Sequence, residues 1–177
     1  MIRHHSQIRR EAKTTLLIVG EGDTEKAFLD HLKSHYVIRG CGVSVTTRNA
    51  HGKGPENVVG VAIRHAKGAD YTIVAVLMDT DLPWSSALRK LARTNKICLI
   101  GANPCCDGLL LRILGEYVPA ESPQCKTKLL ERMGSKPVVP DVYRRDFTKA
   151  LLDGQRGAVG PLDKLLGLMT GTRPVSD

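Results

Sequence analysis

The chain has 177 residues, and its 26 Lys and Arg residues outnumber 18 Asp and Glu residues, so its formal net charge is +8. This length suits a single domain that buries a core without disulfides or structural metals. The positive charge favours an anionic partner, most simply nucleic acid. With one Trp and two Phe, the chain is poorly equipped to bind single strands mainly by aromatic stacking.

The predicted elements alternate between strands and helices after a disordered basic tail at residues 1–13. Each of the first three strands is followed by residues with helical spacing, and Thr24 is expected to cap the first helix. The order predicts an α/β fold with an open sheet of about four mainly parallel strands and helices on both faces. In chain order, the predicted strands are 15–20, 43–47, 71–78 and 96–101.

A weaker pattern follows the last strand and its helix at 105–114. It predicts helices at Lys126–Met133, Tyr143–Leu152 and Val159–Leu168. Residues 117–177 are therefore interpreted as a helical C-terminal extension that packs on the same domain.

Acidic residues stand where two buried strands should end. Glu21 follows the first strand, and Asp79 and Asp81 follow the third. In open α/β sheets, sites are built at the carboxyl ends of the strands, so these side chains are expected to share one rim. Three carboxylates on one rim repel each other unless a cation lies between them. The pattern therefore predicts a site for a divalent metal, although a solvated turn after a strand is the simpler reading of Asp79 and Asp81.

These motifs resemble a known family. The string from Gly20 to Glu25, followed by Asp79-Thr80-Asp81, looks like the Toprim (topoisomerase–primase) domain. Within that family, Glu21–Phe28 together with Asn103–Leu111 is similar to the RloB-like branch, which carries an EGxTE start and an Asn-Pro-Cys block. The resemblance covers about residues 16–114, and it implies a Toprim-like catalytic domain at 14–116.

The resemblance also implies a function. It implies Mg²⁺-dependent hydrolysis of phosphodiester bonds in DNA or RNA, with Mn²⁺ as an alternative metal, in nucleic-acid processing or anti-phage defence. Glu21, Asp79 and Asp81 would be catalytic, and Asp107 would join them as a metal ligand. Such a metal polarises a phosphodiester oxygen and stabilises charge on the leaving oxygen. The resemblance further suggests an ABC/AAA-type ATPase as a partner.

Two basic residues are candidates for binding phosphate. Lys53 lies in the Gly52–Gly54 loop, for which an ordinary surface turn is the favoured alternative, and Arg112 stands where the RloB-like branch usually has His. Arg can bind a phosphate but cannot act as a base near neutral pH. A second basic cluster is either a surface for a nucleic-acid backbone or a solvated helix face; it comprises Lys126, Lys128, Arg144 and Arg145.

Two other functions stay open. The first is an inactive Toprim-like module that binds nucleic acid or an ATPase, which the departures at Asp107 and Arg112 favour. For Asp107, a plain carboxylate at a helix start is an equal alternative. The second is a phosphotransferase of the haloacid dehalogenase type, because an apolar run before Asp79-Thr80-Asp81 also begins that motif. Against it, the motif lies in mid-chain, and Pro83 stands where Thr or Val is usual.

The cysteines and the hydropathy pattern bear on location. Five cysteines without a CxxC pair predict reduced thiols in a cytoplasmic protein. A zinc site built on Cys98, Cys105 and Cys106 lacks the usual ligand spacing. No apolar run approaches the roughly 20 residues of a membrane span, and the basic start lacks the apolar segment of a secretory signal. No membrane partner is expected.

Overall fold

A four-stranded parallel sheet forms the centre of the computed structural model, which describes residues 13–171. The strand order is β2-β1-β3-β4, and each neighbouring pair runs parallel. The predicted fold class, an open α/β sheet with helices on both faces and further helices after it, is confirmed. The strands are β1 (Thr14–Gly20), β2 (Val43–Asn49), β3 (Ile73–Asp79) and β4 (Ile97–Ala102).

Helices connect the strands and continue after the last one. The connecting helices are α1 (Asp23–Tyr36), α2 (Pro55–Lys67) and α3 (Ser86–Thr94). Those after β4 are α4 (Cys106–Ile113), α5 (Ser122–Met133), α6 (Pro140–Asp146), α7 (Lys149–Gln155) and α8 (Gly160–Met169). Within residues 13–171, none of these helices combines the length and the apolar character that a membrane span requires.

Alternation along the central strands divides the core into two layers. In β1, Leu16 and Ile18 pack against α1 and the helices after β4, whereas Leu17 and Val19 pack against α2 and α3. Successive side chains of a strand point to opposite faces, so a strand covered on both faces is apolar throughout. This explains the continuous apolar runs of β1 and β3.

The edge strand β2 has a different pattern. Val43 and Val45 are buried, whereas Ser44 and Arg48 are exposed, an alternation typical of a strand with one solvated face. The exposed end of this strand carries Arg48 next to the loop that leads to α2.

The start of α1 differs from the prediction. Gly22 is the residue that caps the helix, and Thr24 lies inside the first turn, so the predicted Thr24 cap is wrong. The carboxylate of Glu25 takes that role by accepting a hydrogen bond from the Gly22 N–H at 2.9 Å. An acidic side chain at the third helical position can reach back to a free N–H at the helix start.

Two of the C-terminal helices differ from the prediction. One begins earlier than predicted, and another is divided into two helices. α5 starts at Ser122, before the predicted Lys126. The predicted helix Tyr143–Leu152 is two helices, because α6 ends at Asp146 and Thr148 starts α7 by accepting a hydrogen bond from the Leu151 N–H at 3.3 Å. A Thr side chain that satisfies a free N–H favours a new helix start.

The helices after β4 share the core of the sheet. Leu129 of α5, Phe147 after α6 and Leu162 of α8 belong to the same buried cluster as Leu16 and Phe28. The described part of the predicted extension therefore packs on the domain that carries the sheet. The predicted tail at residues 1–13 lies, except for Lys13, outside the described residues.

Candidate active site

Acidic side chains from three elements line a pocket of about 400 Å³ at the carboxyl ends of β1 and β3. Glu21 follows β1, Asp79 ends β3, and Asp107 lies in the first turn of α4. Glu25 and Lys126 line the same pocket. The structure thus brings together three of the four predicted metal ligands.

The parallel register of β1 and β3 explains why Glu21 and Asp79 meet. Gly20, the last residue of β1, pairs with Leu77, and the N–H of Glu21 donates to the Leu77 carbonyl at 3.2 Å. The chain of β3 then continues to Asp79, whose N–H donates to Oε2 of Glu21 at 3.3 Å. The ends of two neighbouring strands therefore set these carboxylates side by side.

Asp79 is the most perturbed carboxylate of the pocket. Burial, followed by the charge of Glu25, raises the pKa of Asp79 to about 7. The nearby charges of Glu21 and Asp81 act in the same direction. A hydrogen bond from the Cys106 N–H to Oδ1 of Asp79, at 2.9 Å, opposes the rise in pKa. Raised carboxyl pKa values of this kind are typical of functional sites.

Glu25 and Asp107 are more deeply buried, each with 6% of its surface exposed. Burial is the main cause that raises the pKa of both carboxyls, and the charge of Lys126 partly offsets this rise at Asp107. The Gly22 N–H likewise lowers the pKa of Glu25 against the effect of burial. The pocket therefore concentrates carboxylates that are poorly solvated and repel one another.

Glu25 was not among the site residues that the sequence predicted. A signal for its burial was present, because Glu25 precedes Phe28, Leu29 and Leu32 at helical spacing on the buried face of α1. A carboxylate on the apolar stripe of a helix is unusual unless it has a partner. In this fold its surroundings are the Gly22 N–H and the acidic pocket.

Asp81 lies outside the pocket. Its side chain is exposed, and Oδ2 accepts a hydrogen bond from the Ser122 hydroxyl at 3.0 Å. Its Oδ1 accepts from the Leu82 N–H at 2.9 Å. Asp81 is thus held toward the start of α5, although its charge still contributes to the raised pKa of Asp79.

The side chains of the acidic pocket determine whether it can bind a metal ion. Among residues 13–171, no three or more His, Cys, Asp or Glu side chains stand close enough together to hold one ion as they are oriented. The donors around the pocket are nevertheless all carboxylate oxygens, which hard cations such as Mg²⁺ prefer. Burial is the main cause of their raised pKa values, and at Glu25 and Asp79 the charges of neighbouring carboxylates add a repulsion that a cation would relieve. The chemistry of the donor set fits a divalent cation, and side-chain rotation is needed to complete the set.

The two candidate phosphate-binding residues lie in different places. Lys53 lines a second groove, which adjoins the acidic pocket at the 50–54 loop. Arg112, near the end of α4, is not among the residues that line the acidic pocket, and its guanidinium donates to the Asn103 carbonyl at 3.4 Å.

Most of the second predicted basic cluster is ion-paired. Arg145 contacts Asp146 at 2.7 Å, and Lys128 lies 3.9 Å from Glu116. Arg144 pairs with Asp141. These contacts favour the solvated helix face over a nucleic-acid surface. Lys126 is the exception, since it faces the carboxylate pocket.

The fold and the pocket define an α/β protein with an acidic site at the carboxyl ends of its parallel strands. Comparisons with protein-family models, curated proteins and solved structures found no match. The resemblance to the Toprim domain and its RloB-like branch therefore rests on the sequence motifs alone.

Proposed function

We propose that this protein is a metal-dependent nuclease of the RloB-like Toprim type, which hydrolyses phosphodiester bonds in DNA or RNA. The observation that carries the proposal is the convergence of Glu21, Glu25, Asp79 and Asp107 on one pocket. The role in nucleic-acid processing or defence, and the ABC/AAA-type ATPase partner, belong to the proposal through the sequence resemblance.

The residues proposed to hold Mg²⁺, or Mn²⁺ in its place, are Glu21, Asp79 and Asp107, with Asp81 joining them when it leaves Ser122. A metal held by these residues would supply polarisation of a phosphodiester oxygen and would stabilise negative charge on the leaving oxygen. A dication there would also offset part of the repulsion among the carboxylates, which adds to the effect of burial on the pKa of Asp79.

The side chains of the pocket have distinct tasks in this proposal. Oδ1 of Asp79 accepts a hydrogen bond from the Cys106 N–H, which leaves Oδ2 as the atom that would bind the metal. Glu21 acts as the general base or acid toward water or the leaving group. Lys126 offers a cation to a phosphate oxygen at the wall of the same pocket.

The test is cleavage of labelled single- and double-stranded DNA and RNA with Mg²⁺ or Mn²⁺, beside an EDTA control. We expect Asp79→Asn and Glu21→Gln each to lower the rate at least about 100-fold, because each removes a group that acts in the transition state. The matched control is Asp163→Asn, an exposed carboxylate in α8 outside the pocket. Cleavage that survives EDTA or both pocket variants would refute the proposal.

A second function is supported by the orientation of Asp81. Its hydrogen bond to Ser122, at 3.0 Å, leaves the carboxylates without a complete metal-binding set. A module that only binds nucleic acid or an ATPase would have no need to release Asp81. Metal-independent binding without cleavage under any metal would favour this module over the nuclease.

A further inference from the structure

A groove rich in basic side chains lies beside the acidic pocket. It has a volume of about 570 Å³ and is formed by the end of β2, the loop to α2 and one side of α2, with Lys26 of α1 at its border. We call it the basic groove; its basic side chains are Lys26, Arg48, His51, Lys53, Arg64 and His65.

Lys26 at the border of the basic groove pairs with Asp30, whereas three other cations of the groove have no acidic partner among the described residues. Arg48, Lys53 and Arg64 are exposed, and within residues 13–171 none of the three forms an ion pair or a hydrogen bond through its side chain. Several cations elsewhere are ion-paired, such as Lys149 with Asp153 at 2.6 Å, so the groove is marked by three unpaired cations that lie close together. Unpaired cations gathered in one groove produce a positive potential that attracts an anion with repeated charges.

The loop between the two sites is held in an unusual conformation. His51 and Lys53 have φ values of 60° and 70°, and the glycine between them has φ of 72°. Such angles are unfavourable for residues with a Cβ. The side-chain amide of Asn57 fixes the loop by donating to the carbonyls of Ala50 and Gly52, at 2.9 and 2.8 Å. The fold therefore maintains a strained backbone that presents Lys53 at the groove.

The same loop joins the basic groove to the acidic pocket. The Gly52 N–H donates to the Glu21 carbonyl at 2.8 Å, and Gly52 lines the acidic pocket while its neighbours His51 and Lys53 line the groove. An anionic chain lying in the groove would therefore pass the carboxylates at the loop.

We propose that the basic groove binds the sugar–phosphate backbone of a nucleic acid and leads it to the carboxylate pocket. None of the described residues that line the groove is Phe, Tyr or Trp, so the contacts of these residues are with phosphates rather than bases. The affinity therefore depends steeply on salt and little on sequence. The placement beside the carboxylates rests on the proposed function, whereas the binding does not require catalysis.

The test measures binding without cleavage. Fluorescence anisotropy with labelled 20-nucleotide dA, dT and RNA strands and a DNA duplex is recorded in EDTA, on an Asp79→Asn background, between 20 and 200 mM NaCl. The groove variant combines Arg48→Gln, Lys53→Gln and Arg64→Gln. The control combines Arg39→Gln, Lys90→Gln and Arg93→Gln, which makes the same change of charge at exposed positions outside the groove.

We expect the groove variant to bind single strands roughly tenfold or more weakly at low salt. The slope of log K against log salt should become shallower by about 2, since each single-strand phosphate contact contributes roughly 0.7. The control should keep its slope, and dA and dT should bind within a few-fold of each other. Thermal melting checks that each variant is folded, and Arg64→Glu alone serves if the triple variant is not.

Two outcomes would overturn the inference: no binding of any strand at 20 mM NaCl, or equal losses in the groove and control variants. Neither outcome decides whether the protein is a nuclease, which the metal-dependent cleavage assay measures. Groove-dependent binding in a protein that never cleaves would refute the nuclease and leave the basic groove standing.

Discussion

The backbone N–H of Asp79 donates to the carboxylate of Glu21 at 3.3 Å, although 58 residues separate them in the chain. The two residues end neighbouring parallel strands, so the sheet itself sets the spacing of the acidic pocket. Burial favours the protonated form of Asp79, and the charge of Glu21 adds to this effect.

Because the pKa of Asp79 is raised, we expect the ionised form of this side chain to lower the free energy of unfolding. Between roughly pH 4 and 7 the folded protein binds this proton more tightly than the unfolded chain, so the free energy of unfolding should fall as pH rises through this range. Asp79→Asn removes that penalty. Discounted for the partial exposure of Asp79, the gain at pH 8 is about 2 kcal/mol, or roughly 4–8 °C in Tm.

Thermal melts of Asp79→Asn and wild type at pH 4 and pH 8, without divalent metal, check this prediction. The difference should be largest at pH 8 and small at pH 4. Asp70→Asn, which changes an exposed carboxylate just before β3, is the control for the loss of one negative charge. An Asp79→Asn protein that melts below wild type at pH 8 would contradict the prediction that ionised Asp79 lowers the stability of the fold.

The glycine before Glu21 should be indispensable to the pocket. A Cβ on Gly20 would lie 2.5 Å from the Cβ of Glu25 and 3.2 Å from the backbone nitrogen of Lys26, so Gly20→Ala must push α1 away from β1. We expect a loss of about 1–3 kcal/mol in the free energy of unfolding, measured by urea denaturation.

Gly154→Ala is the control for Gly20→Ala. A Cβ at Gly154 meets no atom within 4 Å, and the residue lies in α7. This substitution should raise the free energy of unfolding by about 0.5–1 kcal/mol, because Ala favours the helix. Equal effects of the two substitutions would show that β1 and α1 tolerate separation at this point.

Replacing Lys53 with glycine should preserve or raise thermal stability but lower the affinity for nucleic acid. At its φ of 70°, glycine relieves backbone strain, so Lys53→Gly should melt at the same temperature as wild type or higher. Its affinity for nucleic acid should nevertheless fall with that of Lys53→Gln. Melting and anisotropy on both variants check this, and a Lys53→Gly protein that keeps full affinity would exclude a contact by the ammonium group.

Ser122 should restrain metal binding if Asp81 is a ligand. The Ser122 hydroxyl holds Oδ2 of Asp81 at 3.0 Å, and Ser122→Ala removes this competing hydrogen bond. A hydrogen bond at an exposed carboxylate is worth about 1 kcal/mol, so Mg²⁺ affinity measured by calorimetry should rise roughly fivefold. Ser86→Ala, a second exposed serine at a helix start, should leave the affinity unchanged. An unchanged affinity in Ser122→Ala would remove Asp81 from the ligand set.

The sequence by itself determined the strands, their parallel direction and the placement of Glu21 and Asp79 at their carboxyl ends. The apolar runs of β1 and β3 are continuous because both strands are covered on two faces. The carboxylates that follow these runs in the sequence mark where the strands end. Helix boundaries were less predictable, since Glu25 and Thr148 satisfy free N–H groups through contacts that the apolar pattern does not encode.

Only the tertiary structure decided which acidic and basic residues share a site. Local spacing cannot show that Glu25 turns from α1 into the pocket, or that Ser122, 41 residues along the chain, holds Asp81 outside it. It also cannot show that Lys53, Arg48 and Arg64 from three elements line one groove. These relations depend on the packing of α1, α2 and α5 around the sheet, because side chains distant in sequence meet only when their elements pack together.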